Sequence, residues 1–157
     1  ITTLAKIVME EADKLKPDAI VVESTGVGAG LVDILRDHGY RVLEVHPGAP
    51  SGKPSRYANK RAEMWGEARD WLEREGCIRE EPELYRQLTS MTYTYTRLGQ
   101  YQLTSKENIK ELTGESPDRA DALALTFGVH IARRDTDLSM HRRKRARAVT
   151  EYDEFTV

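Results

Sequence analysis

"AIVVESTGVGAGLVDIL", residues 19–35, is the stretch whose reading decides the fold. Ala19 to Val22 make a short, β-branched apolar run, the pattern of a buried strand. Glu23 closes that run, glycines at 26, 28 and 30 form a turn, and Leu31, Ile34 and Leu35 then recur at helical spacing. Gly39 stands at the C′ position of that helix, and "YRVLEVH" (residues 40–46) is a second strand. Upstream, "TLAKIVMEEADKLK" (residues 3–16) predicts an amphipathic helix with Leu4, Ile7, Val8 and Leu15 on its apolar face, ended by Pro17. Helix, strand, helix, strand implies parallel strands joined by a helical crossover, the centre of an α/β sheet.

Working outward, residues 47–55 are a loop rich in Pro, Gly and Ser. Asn59 caps a long helix whose stripe is Ala62, Trp65, Ala68 or Arg69, and Leu72, ended by Gly76. Trp65 and Trp71 read as core and boundary packing. A shorter helix covers residues 82–90. Tyr and Thr then alternate over residues 91–105 on both sides of a Leu98-Gly99 tip, which predicts a hairpin. The last helix opens with Ser116 as N-cap and Pro117 at its first position, and runs to Arg134.

The chain has 157 residues, 39% hydrophobic and 32% charged, with a net charge of −2, so it reads as one globular domain without an overall basic character. Residues 133–147 hold seven Lys/Arg against two Asp, a basic strip confined to the tail. The expected organisation is a domain over residues 1–134 and a basic tail over 135–157 too poor in apolar residues to fold. Cys77 is the single cysteine, which excludes an internal disulfide and suits a reducing compartment. No apolar run reaches membrane-spanning length and no signal-peptide pattern is present, so no membrane partner is expected. The chain opens at Ile1 already inside an amphipathic pattern, as a piece of a longer protein does.

Gly26, Gly28 and Gly30 superficially suggest a phosphate cradle. Their spacing is G-x-G-x-G, no G-x-x-x-x-G-K-[ST] occurs, and Glu44 sits inside the next strand rather than after it. A tight strand-to-helix turn explains them better. Glu23 is more informative, because open α/β sheets place ligands at the carboxyl ends of their strands. Asp118 falls in the first turn of the last helix, where the dipole favours it. Asp121 has no such reason. It lies among Ala120, Ala122, Leu123, Ala124 and Leu125, in a helix apolar nearly all round, where an unpaired carboxylate is costly. A metal ion or a distant basic partner accounts for it. Glu23, Asp118 and Asp121 together make a hard-cation site suited to Mg²⁺ or Mn²⁺. Two such ions roughly 4 Å apart clamp the attacking and leaving oxygens of a phosphodiester. His38, His46, His130 and His141 show no zinc-type spacing. Lys53, Arg56, Lys60, Arg61 and Lys106 are candidates for a phosphate-binding surface, and "HRRKRAR" (residues 141–147) for electrostatic DNA binding.

"VVESTGVGAGLVDILRDHGY", "YANKRAEMW" and "LTSKENIKELTGESPDRADALALTF", in this order and at these separations, resemble the C-terminal nuclease domain of the large terminase subunit of tailed bacteriophages. The resemblance covers roughly residues 1–130. It implies an RNase H-like (ribonuclease H/integrase) fold with a mixed sheet flanked by helices. It also implies metal-dependent endonucleolytic cleavage of concatemeric double-stranded DNA during genome packaging, in the host cytoplasm. Glu23 matches the family's acid before the glycine turn, Asp121 the helical acid of the "D-A-L" stretch, and Asp118 an auxiliary position. The portal protein and the small terminase subunit are the protein partners implied. The family's first catalytic Asp lies on an early strand hairpin upstream of the opening helix, and neither that hairpin nor a Walker ATPase domain is in this sequence. The expectation is a nuclease domain lacking that hairpin, with its activity reduced or lost. The rivals are a non-catalytic DNA- or portal-binding module and a nucleotide-binding α/β protein that uses the Gly26–Gly30 turn.

Overall fold

In the computed structural model, which describes residues 1–131, β1 (Ile20–Glu23) and β2 (Val42–Val45) pair in parallel. Ile20 lies opposite Val42, and Glu23 opposite Val45. The crossover is α2 (Val27–Asp37), as the alternating pattern predicts. It ends in a Schellman motif: Tyr40 N–H donates to the Leu35 carbonyl, Gly39 N–H donates to that of Arg36, and Gly39 has φ +83°.

Strand side chains alternate in direction, so the sheet has two differently covered faces. Ile20, Val22 and Val42 pack with Leu31, Val32 and Leu35 of α2 and with Ala5 of α1 (Thr2–Leu15). Val21 and Val45 pack on the other side with Met64, Trp65 and Ala68 of α3 (Lys60–Arg74) and with Ala120 and Ala124 of α6 (Asp118–Leu125). Asn59 caps α3 by accepting from Ala62 N–H at 2.9 Å. Glu23 follows Val21 in alternation, which aims its side chain toward the α3–α6 side. This parity makes the site described below possible.

The remaining elements are α4 (Pro82–Ser90), the hairpin β3 (Tyr93–Tyr95) and β4 (Tyr101–Leu103), and α5 (Lys106–Thr113). Gly99 has φ +74° at the hairpin tip.

Several expectations need correction. The parallel and antiparallel pairs are two separate two-stranded sheets among the described residues, not one mixed sheet; a single bridge from Tyr57 to Tyr101 links the hairpin to the loop before α3. On α1 the packed stripe is Ala5, Val8, Met9 and Ala12, whereas Leu4, Ile7 and Leu15 are exposed. Both stripes have helical spacing; the alanines bring α1 close to α2, and only one stripe can face it. The sequence reading omitted α5, although Ser105 caps it by accepting from Asn108 N–H and Gly114 ends it at φ +79°. Pro117, not Ser116, occupies the N-cap of α6. That helix stops at Leu125 instead of Arg134. Thr126, Phe127 and Gly128 N–H groups bond three residues back, and Gly128 then lies against Val45 and Met64 where a Cβ would clash. Nor does its run of Ala and Leu bury α6 all round, since Asp118, Arg119 and Ala122 are exposed. The tail over 135–157 and the domain limit at 134 lie outside the described residues.

Candidate functional site

The glycine turn is shaped by packing. Gly26 caps α2 with φ +56°. A Cβ on Gly28 would overlap the carbonyl oxygen of Glu23, so only glycine lets the first turn of α2 lie against the end of β1. A Cβ on Gly30 would meet Ile1 at 3.3 Å. The turn is filled by the protein's own backbone, which leaves the nucleotide-cradle reading without an observation in its favour. Glu44, the acid that reading needs, pairs with Arg36 at 2.7 Å.

What the turn delivers is the Glu23 carboxylate. Its Oε1 accepts from Thr25 Oγ1 at 2.7 Å, and its Oε2 lies 4.0 Å from Lys106 Nζ. Lys106, the first residue of α5, is 2.8 Å from Asp121 Oδ2 on α6. Glu23, Lys106, Asp121 and Arg61 line one small cavity with Pro47, Met64 and Leu125. Asp121 Oδ1 accepts from the indole N–H of Trp65 at 2.8 Å and lies 3.7 Å from Arg61 Nη2. Arg61, with a side chain only 13% exposed, also donates to the Thr104 carbonyl at 3.0 Å. The distant basic partner that the buried acid required is therefore present twice.

Asp118 does not join this group. It is exposed, does not line the cavity, and its Oδ1 accepts from Ser116 Oγ at 2.6 Å. The i, i+3 spacing puts the two acids on one face of α6, but Asp118 stands at the exposed first position of the helix and turns back to Ser116, whereas Asp121 lies a turn further in, against α3 and α5. Among the described residues no three His, Cys, Asp or Glu side chains gather closely enough to hold a metal. The expected triad is a pair. Its oxygens still suit one hard divalent cation. Asp121 Oδ2 is buried and has no aligned hydrogen bond, with the Lys106 ammonium standing where a cation would. Ser24 Oγ and Arg61 Nε are likewise buried without hydrogen-bond partners.

The five basic candidates separate into two groups. Lys53 pairs with Glu67, Arg56 with Asp70 and Lys60 with Glu63, each at 2.8 Å, so these three brace α3. Burial pushes the Glu63 carboxyl up, but hydrogen bonds from Lys60, Ser51 and Gly52 N–H outweigh it and hold the group below the usual range. Only Arg61 and Lys106 reach the acids. Trp65, which the sequence reading assigned to packing alone, packs in the core and also donates to Asp121; its position four residues after Arg61 on a capped helix is the available signal. The histidines stay apart, with His38 Nδ1 on the Ile34 carbonyl at 2.8 Å. His141 and the basic strip around it lie outside the described residues. No helix is long and apolar enough to cross a membrane among the described residues.

No family model and no curated protein matches the chain. Solved structures do. The nuclease domain of the large terminase subunit gp2 of bacterial virus Sf6 matches with a TM-score of 0.61 and 21% identity, covering 82% of this chain and 72% of that one. A mutant of that domain with manganese and beta-thujaplicinol gives a TM-score of 0.67 at 20% identity, over 82% of this chain and 72% of the other. Another, with calcium, gives 0.60 at 20% identity over 80% and 71%. The chain has the α/β fold of these terminase nuclease domains.

Proposed function

We propose that this chain is the nuclease domain of a phage large terminase subunit and acts on the phosphodiester backbone of double-stranded DNA. One observation carries the reading: Glu23 at the end of β1 and Asp121 on α6, distant in sequence, meet around Lys106 in one cavity. The fold shared with the Sf6 domains supports it. Glu23 and Asp121 would hold one Mg²⁺ or Mn²⁺, which when bound supplies an activated water and neutralises charge on the phosphoryl oxygens. Thr25 orients Glu23, and Trp65 orients Asp121. Lys106 and Arg61 balance the two carboxylates, so a divalent ion would leave the cavity with excess positive charge that favours a phosphate. Asp118 serves the helix terminus instead of the reaction. Portal and small-subunit partners belong to this reading as the remainder of the packaging machinery.

The test is nicking of supercoiled plasmid with Mn²⁺. Metal-dependent nicking that disappears in both Glu23→Gln and Asp121→Asn supports the proposal; nicking that survives both substitutions refutes it. A second reading, a module that binds DNA or the portal without cutting, is favoured by the absence of a third acid beside the pair among the described residues. Salt-sensitive retention of DNA with no nicking at any metal concentration would select it.

A further inference from the structure

Helix α6 carries Asp121 into the cavity, yet little within α6 fixes where it starts. It is eight residues long, and a helix that short is held by its neighbours rather than by its own propensity. The first turn of a helix leaves backbone N–H groups without intrahelical acceptors. Here Pro117 stands at the N-cap with no side-chain hydrogen bond to them, and the Ser116 hydroxyl is turned to the Asp118 carboxylate at 2.6 Å. Asp121 N–H is the first that finds a helical acceptor, the Pro117 carbonyl at 2.8 Å.

For the two amides before it, the acceptor comes from another helix. Gln87 of α4 is 7% exposed, and its Oε1 accepts from Arg119 N–H at 2.9 Å and from Ala120 N–H at 3.1 Å. Two converging donors fix which end of the amide faces α6, and Nε2 is left to donate to Glu83 at 3.4 Å. Leu84 and Leu88, on the same face of α4, pack in the core with Ala120 and Ala124. An apolar side chain would suit that core, whereas a buried amide is costly unless bonded, so the glutamine is accounted for by what it accepts. Arg119 adds ion pairs to Glu81 and Glu83, but these are exposed and weakened by solvent. Beyond its other end, α6 is fixed by Gly128 against Val45 and Met64.

We propose that Gln87 is a positioning residue for Asp121: it clamps the two amides that immediately precede the acid and so sets how its carboxylate meets Trp65 and Lys106. Asp121 is one residue beyond the clamped Ala120, and its two oxygens reach those partners at 2.8 Å each. Without the acceptor, the amide of the fully buried Ala120 has to reach water, which draws the start of α6 away from α4 and loosens the indole–carboxylate bond. The clamp's consequence for a metal rests on the reading of Asp121 given above; its geometry does not.

The test is the indole N–H spectrum of the full chain in EDTA, by ¹H–¹⁵N NMR. Trp65 and Trp71 are the only tryptophans, so Trp71 serves as internal reference. Gln87→Met keeps the length and removes the acceptor; the Trp65 resonance should move upfield, toward its position in Asp121→Ala, while that of Trp71 stays. Combining Gln87→Glu with Glu83→Gln keeps an acceptor for both amides and a donor beside it, and should return the resonance to the parent's position. Val32→Ala, in the core on the opposite face of the sheet, lowers Tm without touching α6 and should leave the resonance in place. Should Gln87→Met not fold, Gln87→Asn, one methylene shorter, reads the same resonance and should move it part of the way. In Mn²⁺ titrations Gln87→Met should weaken binding about tenfold, and the exchanged pair should restore it. A Trp65 resonance that stays put in both Gln87→Met and Gln87→Asn overturns the proposal, as does an equal shift in Val32→Ala, because either result makes Gln87 a contributor to stability alone. A shifted and rescued resonance in a parent chain that binds no Mn²⁺ would keep the clamp and sink the nuclease reading.

Discussion

Replacing Asp121 by Asn should destabilise the protein even with no cation present. The Asp121 side chain is 14% exposed and faces Lys106 at 2.8 Å, Trp65 at 2.8 Å and Arg61 at 3.7 Å. Asparagine keeps the shape and can still accept from Trp65, so charge is the principal loss. Breaking a buried ion pair costs about 3–5 kcal/mol, and an exposed pair contributes at most about 1 kcal/mol. Arg61 is as buried as its partner but stands at a long distance, and Lys106 is 39% exposed, so solvent screens its share. A cost of about 2 kcal/mol follows. In a domain of this size each kcal/mol moves Tm by roughly 2–4 °C, which gives a fall of about 4–8 °C. The assay is thermal and urea denaturation in EDTA. The sign matters more than the size, because acids that repel one another until a cation arrives become more stable when one is neutralised. An Asn variant as stable as the parent would refute the ion-pair geometry and reopen the case for an uncompensated acid site. The cycle with Lys106→Met should show about 1 kcal/mol of coupling.

Three further outcomes are expected. Calorimetry with Mn²⁺ should find one weak site in the parent chain, with roughly millimolar Kd because two carboxylates are few ligands. Lys106→Met should tighten it about tenfold by removing the competing ammonium, and unchanged affinity would show that Lys106 is not the resident cation. Gly28→Ala should cost about 3 kcal/mol or more by driving a methyl group into the Glu23 carbonyl. Gly48→Ala, where a Cβ meets nothing, should be nearly neutral in the same melt. Hydrogen bonds from Tyr95, Tyr93 and Arg69 hold the Tyr101 phenol down to about 8, so tyrosinate absorbance should show an early step near pH 8 that Tyr101→Phe abolishes. The depressed group contributes stability fully only above its unfolded value of about 10. That contribution fades as pH falls through 8 and is absent at neutrality.

The local elements were legible because local chemistry specifies them. The β-branched run at Ile20–Val22 and Gly39 at a left-handed cap announce β1, α2 and the start of β2 without reference to the rest of the chain. Asn59 and the Tyr/Thr alternation do the same for α3 and the hairpin. Even the importance of Asp121 could be read in one dimension, since an acid in an apolar helix needs a partner wherever the helix packs. The partner's identity could not. Lys106, Arg61 and Trp65 come from α5 and α3, and their meeting at Asp121 depends on how those helices cross the sheet, a property of packing that no spacing encodes. The choice between two equally periodic stripes on α1, the early end of α6 against Val45, and the separation of Asp118 from Glu23 were settled in the same way. Periodicity says which residues share a face; only the assembled neighbours say which face is covered.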